Sequence, residues 1–320
     1  MLDTGLGAFF REQVSFDPTW GRALEIVERY INIPTHVGKL FRDSWYGVAA
    51  SKDFMKVMGF SRLNPFCLLS ASELTGASGE TPGETVERAI QILGTRLSAV
   101  VLAVNYTCKQ VIASDPPPIW KQVLADSIRD VEIGYRLGAR TFDIGIEGGA
   151  IIGFAASVGK ALIMADNPKA FRNWQSMCKD GASSRQEIIK VFGCEFYQVA
   201  SLLMQALGFG QELAVGIACG GGKLDIRAID ISEEAKRWTA AYLWVDALIN
   251  GRSYPGQVFA RNFFKELIPP AKDGKNLALQ VLHTEVAKIR SQGSNWTWYL
   301  PREPASAGAQ SSSAQITKNS

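Results

Sequence analysis

Apolar residues recur three and four positions apart along almost the whole chain, which is the spacing of one face of an α-helix. The first such face includes Val27 and Ile31 and follows Asp17-Pro18, a pair that supplies an N-cap and a proline at the first helical position. Asn64-Pro65 and Asn167-Pro168 repeat this start signal. The alternating apolar and polar pattern of β-strands is missing between turn signals. The sequence therefore predicts an all-α protein.

The ends of the predicted helices carry signals of their own. Ser184 and Glu187 form a capping box before an apolar run. The glycine-rich stretch 219–223 is expected to be a flexible connector after a helix, with an anion-binding loop as the alternative. Left-handed C-caps are expected at the glycines that stand where a helical pattern stops, namely Gly76, Gly94, Gly138, Gly181, Gly193, Gly208 and Gly251.

Changes in composition divide the chain into four parts. The segment 115–118 interrupts the helical pattern, and after Pro301 the sequence becomes rich in Ser, Ala, Gln and Gly, which predicts disorder. The predicted parts are an N-terminal extension (1–16), a helical domain (17–252) with two lobes (17–114 and 119–252), a helical C-terminal extension (253–300) and a disordered tail (301–320).

The overall composition favours a globular protein of a reducing compartment. A chain of 320 residues with 47% apolar residues can bury one or two cores. Its net charge of +3 comes from 34 basic and 31 acidic residues, so neither nucleic acid nor an anionic membrane surface is indicated. The five cysteines show no CxxC spacing, and the N-terminus lacks the basic region of a signal peptide. Uncharged apolar stretches fall short of the ~20 residues that cross a bilayer, so a cytoplasmic location is expected.

Histidine is almost absent from the chain, which contains only His36 and His283. Imidazole is the commonest ligand for zinc and similar ions near neutral pH, and a hydrolytic metal centre usually combines two or more. These two histidines are far apart in the sequence, and a structural role is expected for each. The composition therefore disfavours a hydrolase that depends on a transition metal.

One stretch, Ile152–Lys160, has the frame of a metal-dependent phosphohydrolase signature. Where the HD superfamily carries a His-Asp pair at the fifth and sixth positions, this chain has Ala and Ser. Over about 28–251 the chain resembles the HDOD domain, a bacterial regulatory relative of the HD phosphohydrolases, and this resemblance implies a two-lobed helical bundle. Further segments that resemble the family, in the family's order, are Ile33-Pro34, Asn64–Leu69, Val86–Gly94, Trp120–Ser127 and Val199–Leu203.

Carried across residue by residue, this resemblance implies that the metal ligands are lost. The His-Asp pair falls on Ala156 and Ser157, the next histidine on Phe196, and the following pair on Gly220-Gly221. Asp246 is the candidate remnant of an acidic ligand. Methyl, phenyl and hydrogen side chains cannot hold a cation, so no metal, cofactor or catalytic residue is expected. The resemblance implies a pseudo-enzyme of signal transduction that binds protein partners, without nucleic-acid binding or membrane insertion.

Two other functions stay open from the sequence. A residual phosphohydrolase could bind Mg²⁺ through the carboxylates of Asp126, Asp246 and Glu195, because Mg²⁺ accepts oxygen ligands. A small-molecule sensor could instead use an apolar cavity lined by Phe154, Ala156 and Phe196.

Other conspicuous residues receive a structural interpretation. The stretch Gly153–Ala161 departs from the P-loop pattern at two required positions, so a helix with small residues for close packing is expected. The three aromatic residues near the end are expected to fold back into the core, with a partner-binding strip as the alternative: Trp296, Trp298 and Tyr299. A solvent-exposed helix face is expected for Asp126, Arg129, Asp130 and Glu132.

Overall fold

A computed structural model describes residues 7–61, 63–74, 86–116, 118–178, 184–224, 230–268 and 275–299 of the chain. Every regular element in these ranges is a helix, and the predicted all-α class is confirmed. The predicted caps at Gly76 and Gly181 and the predicted tail 301–320 lie outside the described residues.

The regular structure of the described ranges consists mainly of fifteen α-helices, with a short 3-10 helix at Lys265–Leu267. In chain order the α-helices are α1 (Ala8–Phe16), α2 (Pro18–Tyr30), α3 (Thr35–Trp45), α4 (Ser51–Met58), α5 (Phe66–Leu74), α6 (Val86–Ala113), α7 (Trp120–Gly138), α8 (Gly145–Asp166), α9 (Pro168–Met177), α10 (Arg185–Phe192), α11 (Phe196–Leu207), α12 (Gln211–Gly222), α13 (Glu233–Ile249), α14 (Val258–Arg261) and α15 (Leu277–Gln292).

Several helices begin at the side-chain caps that the sequence predicts. Asp17 accepts a hydrogen bond from the Thr19 amide at 2.9 Å, and Asn167 accepts one from the amide at position 170 at 3.1 Å. Ser184 and Glu187 form the reciprocal capping box, with hydrogen bonds of 3.2 and 2.7 Å. These caps satisfy amide groups that have no partner in the first helical turn.

The predicted glycine caps have mixed outcomes. Gly193 ends α10 at φ 78° and Gly208 ends α11 at φ 91°, both in the left-handed conformation. Gly251, which follows α13, also has a positive φ of 70°. Gly94 instead divides α6 by a kink. The prediction is wrong for Gly138, which is the last residue of α7 and packs against the backbone of α8.

Helices α7 and α8 pack with their backbones in direct contact. A Cβ at Gly134 would lie 2.1 Å from the Gly149 carbonyl oxygen, and a Cβ at Gly149 would lie 2.0 Å from the Gly134 carbonyl oxygen. A Cβ at Gly138 or at Gly153 would likewise lie 2.0 or 2.1 Å from a carbonyl oxygen of the facing helix. Any Cβ here would force the two helices apart, because packed interiors have no spare volume. We call these four residues the glycine seam.

The buried apolar side chains form one continuous cluster that runs from Phe10 to Tyr299. Trp296, Trp298 and Tyr299 belong to it, with exposed fractions of 6, 3 and 6%, so the prediction that they fold back into the core is confirmed. The alternative of an exposed partner-binding strip is wrong. Asn105 on α6 holds this segment in place, because its side-chain amide donates to the carbonyl oxygens of Trp298 and Tyr299 at 3.1 Å.

Two helices, α6 and α8, are long and apolar enough to cross a membrane by length and composition alone. In the folded chain, 72% of the most apolar window of α6 and 83% of that of α8 are buried inside the protein. Packing within the helical bundle therefore accounts for their apolar composition.

Candidate functional site

Four helices border a partly open cavity of about 250 Å³ around the position of Ala156 and Ser157. Each helix contributes residues spaced three and four apart, so one face of each helix borders the same space. We call it the four-helix cavity. Its lining includes Asp126, Arg129 and Asp130 from α7, Ala156, Ser157 and Lys160 from α8, Phe171, Trp174 and Gln175 from α9, and Asp246 and Ile249 from α13 with Asn250, which caps that helix.

The two residues at the His-Asp position of the signature have little to offer a cation. Ala156 presents a methyl group to the cavity. Ser157 presents a hydroxyl, which makes a long hydrogen bond of 3.5 Å to the Phe154 carbonyl oxygen. The surrounding stretch is continuous helix within α8, and a Cβ at Gly159 would lie 2.0 Å from the Phe196 carbonyl oxygen. The predicted role of small residues in close packing is confirmed for Gly153 and Gly159, whereas Ala156 borders the cavity.

Arg129 connects the two acidic residues that α7 places in the cavity. Its Nε and Nη2 donate to Oδ1 of Asp130 at 2.9 and 2.8 Å, and its Nη1 donates to Oδ1 of Asp126 at 3.1 Å. Burial raises the pKa of the Asp130 carboxyl to about 6, although the Arg129 guanidinium opposes this shift. Asp130 is therefore predominantly a carboxylate above about pH 6.

The prediction of a solvent-exposed face on α7 is wrong for two of its four residues. Asp130 and Glu132 are only 4 and 7% exposed. Glu132 accepts hydrogen bonds from Arg136 at 3.1 Å and from the Ser294 hydroxyl at 2.6 Å, which ties α7 to the C-terminal segment. The charge pattern predicts exposure, but these side chains are buried because α8, α13 and α15 all pack against α7.

The three carboxylates of the magnesium alternative do not converge. Asp126 and Asp246 line the four-helix cavity, but Glu195 lies outside its lining and accepts two hydrogen bonds of 2.6 Å from Arg185. Asp246 is itself paired with Arg252. Within the described ranges, no three His, Cys, Asp or Glu side chains are grouped so that they could hold a metal ion.

The remaining mapped ligand positions serve packing and lie outside the cavity lining. The Phe196 ring meets Trp174 edge-on, with centroids 5.2 Å apart. Gly220 and Gly221 belong to α12, and a Cβ at Gly221 would lie 2.3 Å from the Cβ of Tyr197. Both interpretations of this stretch, a flexible connector and an anion-binding loop, are wrong. The glycines are helical and serve close packing.

The lining residues predicted for the apolar cavity of a small-molecule sensor are also wrong. Phe154 is fully buried in the core, and only Ala156 of the three predicted residues lines the four-helix cavity. Neither histidine reaches it. His36 packs on the Phe60 ring at 5.1 Å, and His283 Nε2 lies 2.9 Å from the carbonyl oxygen of residue 253.

No family model and no curated protein matches the sequence. An HDOD domain protein of unknown function from Geobacter sulfurreducens is similar in structure over 86% of this chain and 96% of its own length, with 14% identity and a TM-score of 0.59. This chain has an HDOD-like fold. A proposed phosphohydrolase from Shewanella amazonensis SB2B is similar over 85% of this chain and 95% of its own, with 15% identity and a TM-score of 0.57. At such identities the likeness concerns the fold alone, and the predicted fold is confirmed.

The donors in the four-helix cavity do not fit the divalent ion that HD phosphohydrolases bind. A methyl and a hydroxyl group occupy the His-Asp position, and the two cavity carboxylates that are most exposed, Asp126 and Asp246, are each paired with an arginine. Divalent ions need several oxygen, nitrogen or thiolate ligands in one shell. The described residues of the four-helix cavity therefore lack the His-Asp pair through which such an ion would be held.

Proposed function

We propose that this protein is a non-catalytic regulatory protein with an HDOD-like fold that transmits a signal in the cytoplasm by binding other proteins. The observation that carries the proposal is the composition of the four-helix cavity. HD chemistry requires a water activated by a bound ion. Ala156 and Ser157 stand where the ion's ligands would be, and the other mapped positions, Phe196, Gly220 and Gly221, are engaged in packing.

The phosphohydrolase alternative has less support. The Shewanella amazonensis neighbour is a proposed phosphohydrolase, but at 15% identity its name does not pass to this chain. Hydrolysis by carboxylate-bound Mg²⁺ would need Glu195 in the cavity, and Arg185 holds that side chain elsewhere. The pairing of Glu195 with Arg185 therefore supports a non-catalytic role rather than hydrolysis.

A partner-binding surface is supported by the segment 46–66. Five large apolar side chains of this short stretch of sequence are between 44 and 75% exposed, and exposed apolar side chains are typical of interaction sites where they form one patch. Phe60 and His36 also border a groove of about 390 Å³. We therefore assign partner binding to this surface, which we call the α4 surface: Tyr46, Val48, Met55, Phe60 and Phe66.

Affinity capture from the native host tests this proposal. The wild-type chain is expected to capture a reproducible set of proteins that the double variant Met55→Glu/Phe60→Glu loses, because a buried charge at an apolar contact is costly. The matched control is Leu277→Glu/Val281→Glu, which changes two exposed apolar residues of α15. Each captured protein is then purified and titrated against all three chains.

The expected result is a loss of direct binding of at least about tenfold for the α4 variant alone, since hot-spot residues contribute more than about 1 kcal/mol each. Equal binding by all three chains would contradict the assignment of the α4 surface. Captured proteins that do not bind when purified would contradict the proposed mode of action. Because both pairs of residues are exposed, the variants are expected to unfold at the same temperature as the wild type.

A further inference from the structure

The four-helix cavity contains one ammonium group, that of Lys160, which forms no ion pair with the cavity carboxylates of the described residues. Lys160 borders it from α8 and Asp130 borders it from α7. Within the described ranges Lys160 makes no ion pair, and its ammonium lies 5.9 Å from the centroid of the Phe196 ring. The same ammonium acts on the Asp130 carboxyl, whose pKa it lowers. The two groups are thus near enough to interact but are not in contact.

The carboxylates on the α7 side keep an oxygen available. Oδ1 of Asp130 accepts both hydrogen bonds from Arg129, and no hydrogen bond from the described residues reaches its Oδ2. Asp126 likewise uses Oδ1 for its bonds from Arg129 and Gln122, each of 3.1 Å. Asp130 is 4% exposed, and its Oδ2 remains within reach of water or of a ligand group from the cavity.

An apolar wall completes the cavity. Phe171 and Trp174 come from α9, and Val123 and Ile249 come from α7 and α13. The volume of about 250 Å³ corresponds to roughly eight water molecules at about 30 Å³ each, which lies just below the usual range of ligand pockets. The cavity therefore suits a compact ligand with both a charged and an apolar part.

We infer that the four-helix cavity binds a small zwitterion, an α-amino acid with an apolar side chain. The ligand's carboxylate meets Lys160, its ammonium group meets the open oxygens of Asp130 and Asp126, and its side chain lies on the apolar wall. A simple anion would meet Lys160 alone and a simple cation would meet the carboxylates alone, whereas a zwitterion meets both. This inference rests on the proposed function, because it makes a ligand rather than a metal ion the occupant of the cavity.

Isothermal titration calorimetry on the full-length chain, dialysed against EDTA, tests the inference with the twenty amino acids as probes. We expect saturable binding of at least one apolar amino acid of the size of leucine. Its two single-charge analogues, 4-methylpentanoate and 3-methylbutylamine for leucine, are expected to bind at least about tenfold more weakly, since each lacks one charge-assisted hydrogen bond.

Two variants assign the ligand to this cavity. Lys160→Met is expected to weaken binding roughly tenfold, and because Lys160 is exposed the variant keeps its fold. Lys169→Met, an exposed lysine of α9 outside the cavity lining, is the matched control and is expected to bind as the wild type does.

Three results would each overturn the inference. They are no binding of any of the twenty amino acids, equal affinity for a single-charge analogue, and wild-type affinity in Lys160→Met. None of these results would contradict the proposed function. A tightly bound metal ion in the protein before dialysis would contradict it. The failure of one proposal is therefore distinguishable from the failure of the other.

Discussion

Alanine in place of Gly149 is expected to lower the free energy of unfolding by about 3 kcal/mol, the upper end of the range for overpacked cores. The new Cβ would lie 2.0 Å from the Gly134 carbonyl oxygen on α7. That atom belongs to a helix backbone, so it cannot rotate away as the end of a side chain would. The two helices must separate, and the side chains around the four-helix cavity lose their packing. Urea unfolding followed by circular dichroism measures the loss.

The control is Gly21→Ala on α2, where a Cβ would meet nothing within 4 Å. Alanine favours helix over glycine, so this variant is expected to gain about 0.5–1 kcal/mol. The pair separates a packing clash from a general effect of alanine. Equal stability of Gly149→Ala and the wild type would contradict direct backbone contact along the glycine seam.

Alanine in place of Trp298 is expected to reduce the free energy of unfolding by about 3–5 kcal/mol, the usual loss for a fully buried large aromatic residue. Trp298 is 3% exposed and contacts Trp296, with ring centroids 6.0 Å apart. Within the described ranges its buried indole nitrogen has no hydrogen-bond partner. Its contribution is therefore expected to be packing alone, and Trp298→Phe should recover most of the lost stability.

The same urea titration on Phe142→Ala provides the control for Trp298. Phe142 is 93% exposed, and substitutions of exposed residues usually change stability by less than about 0.5 kcal/mol. If Trp298→Ala unfolds at the same urea concentration as Phe142→Ala, the C-terminal aromatic residues do not belong to the core.

Helix starts are the part of the fold that the sequence predicts best, because capping is a local interaction. Asp17, Asn167 and Ser184 each lie within three residues of the amide that they cap. The periodic apolar pattern likewise depends on neighbours along the same helix. Both signals can be recognised in a single sequence, because they do not depend on how the helices pack against each other.

Most of the glycine seam was missed by sequence reasoning, which expected close packing only in the stretch that begins at Gly153. Gly134 and Gly138, and then Gly149 and Gly153, stand four residues apart, which places each pair on one helix face. That spacing was the available signal. The spacing does not indicate which helix will face the glycines. Gly138 is therefore predicted to be a helix cap, although it packs against the backbone of α8.

The position of the candidate site was predictable, but its chemistry was not. Ala156 and Ser157 line a cavity, as the signature frame indicates. Asp126, Arg129 and Asp130 were expected to face solvent, and their spacing of three and four is the signal that could have placed them on one face together. Which charges remain unpaired depends on distances between helices, and a sequence does not contain these distances.

Elemental analysis by inductively coupled plasma mass spectrometry tests most directly the claim that the cavity cannot hold a catalytic ion. The chain is purified without a metal-affinity resin from cells supplied with iron, manganese and zinc. We expect well below about 0.1 ion of any of these metals per chain after gel filtration, because the described residues include no group of three His, Cys, Asp or Glu side chains that could retain an ion. About one tightly held ion per chain would contradict this claim.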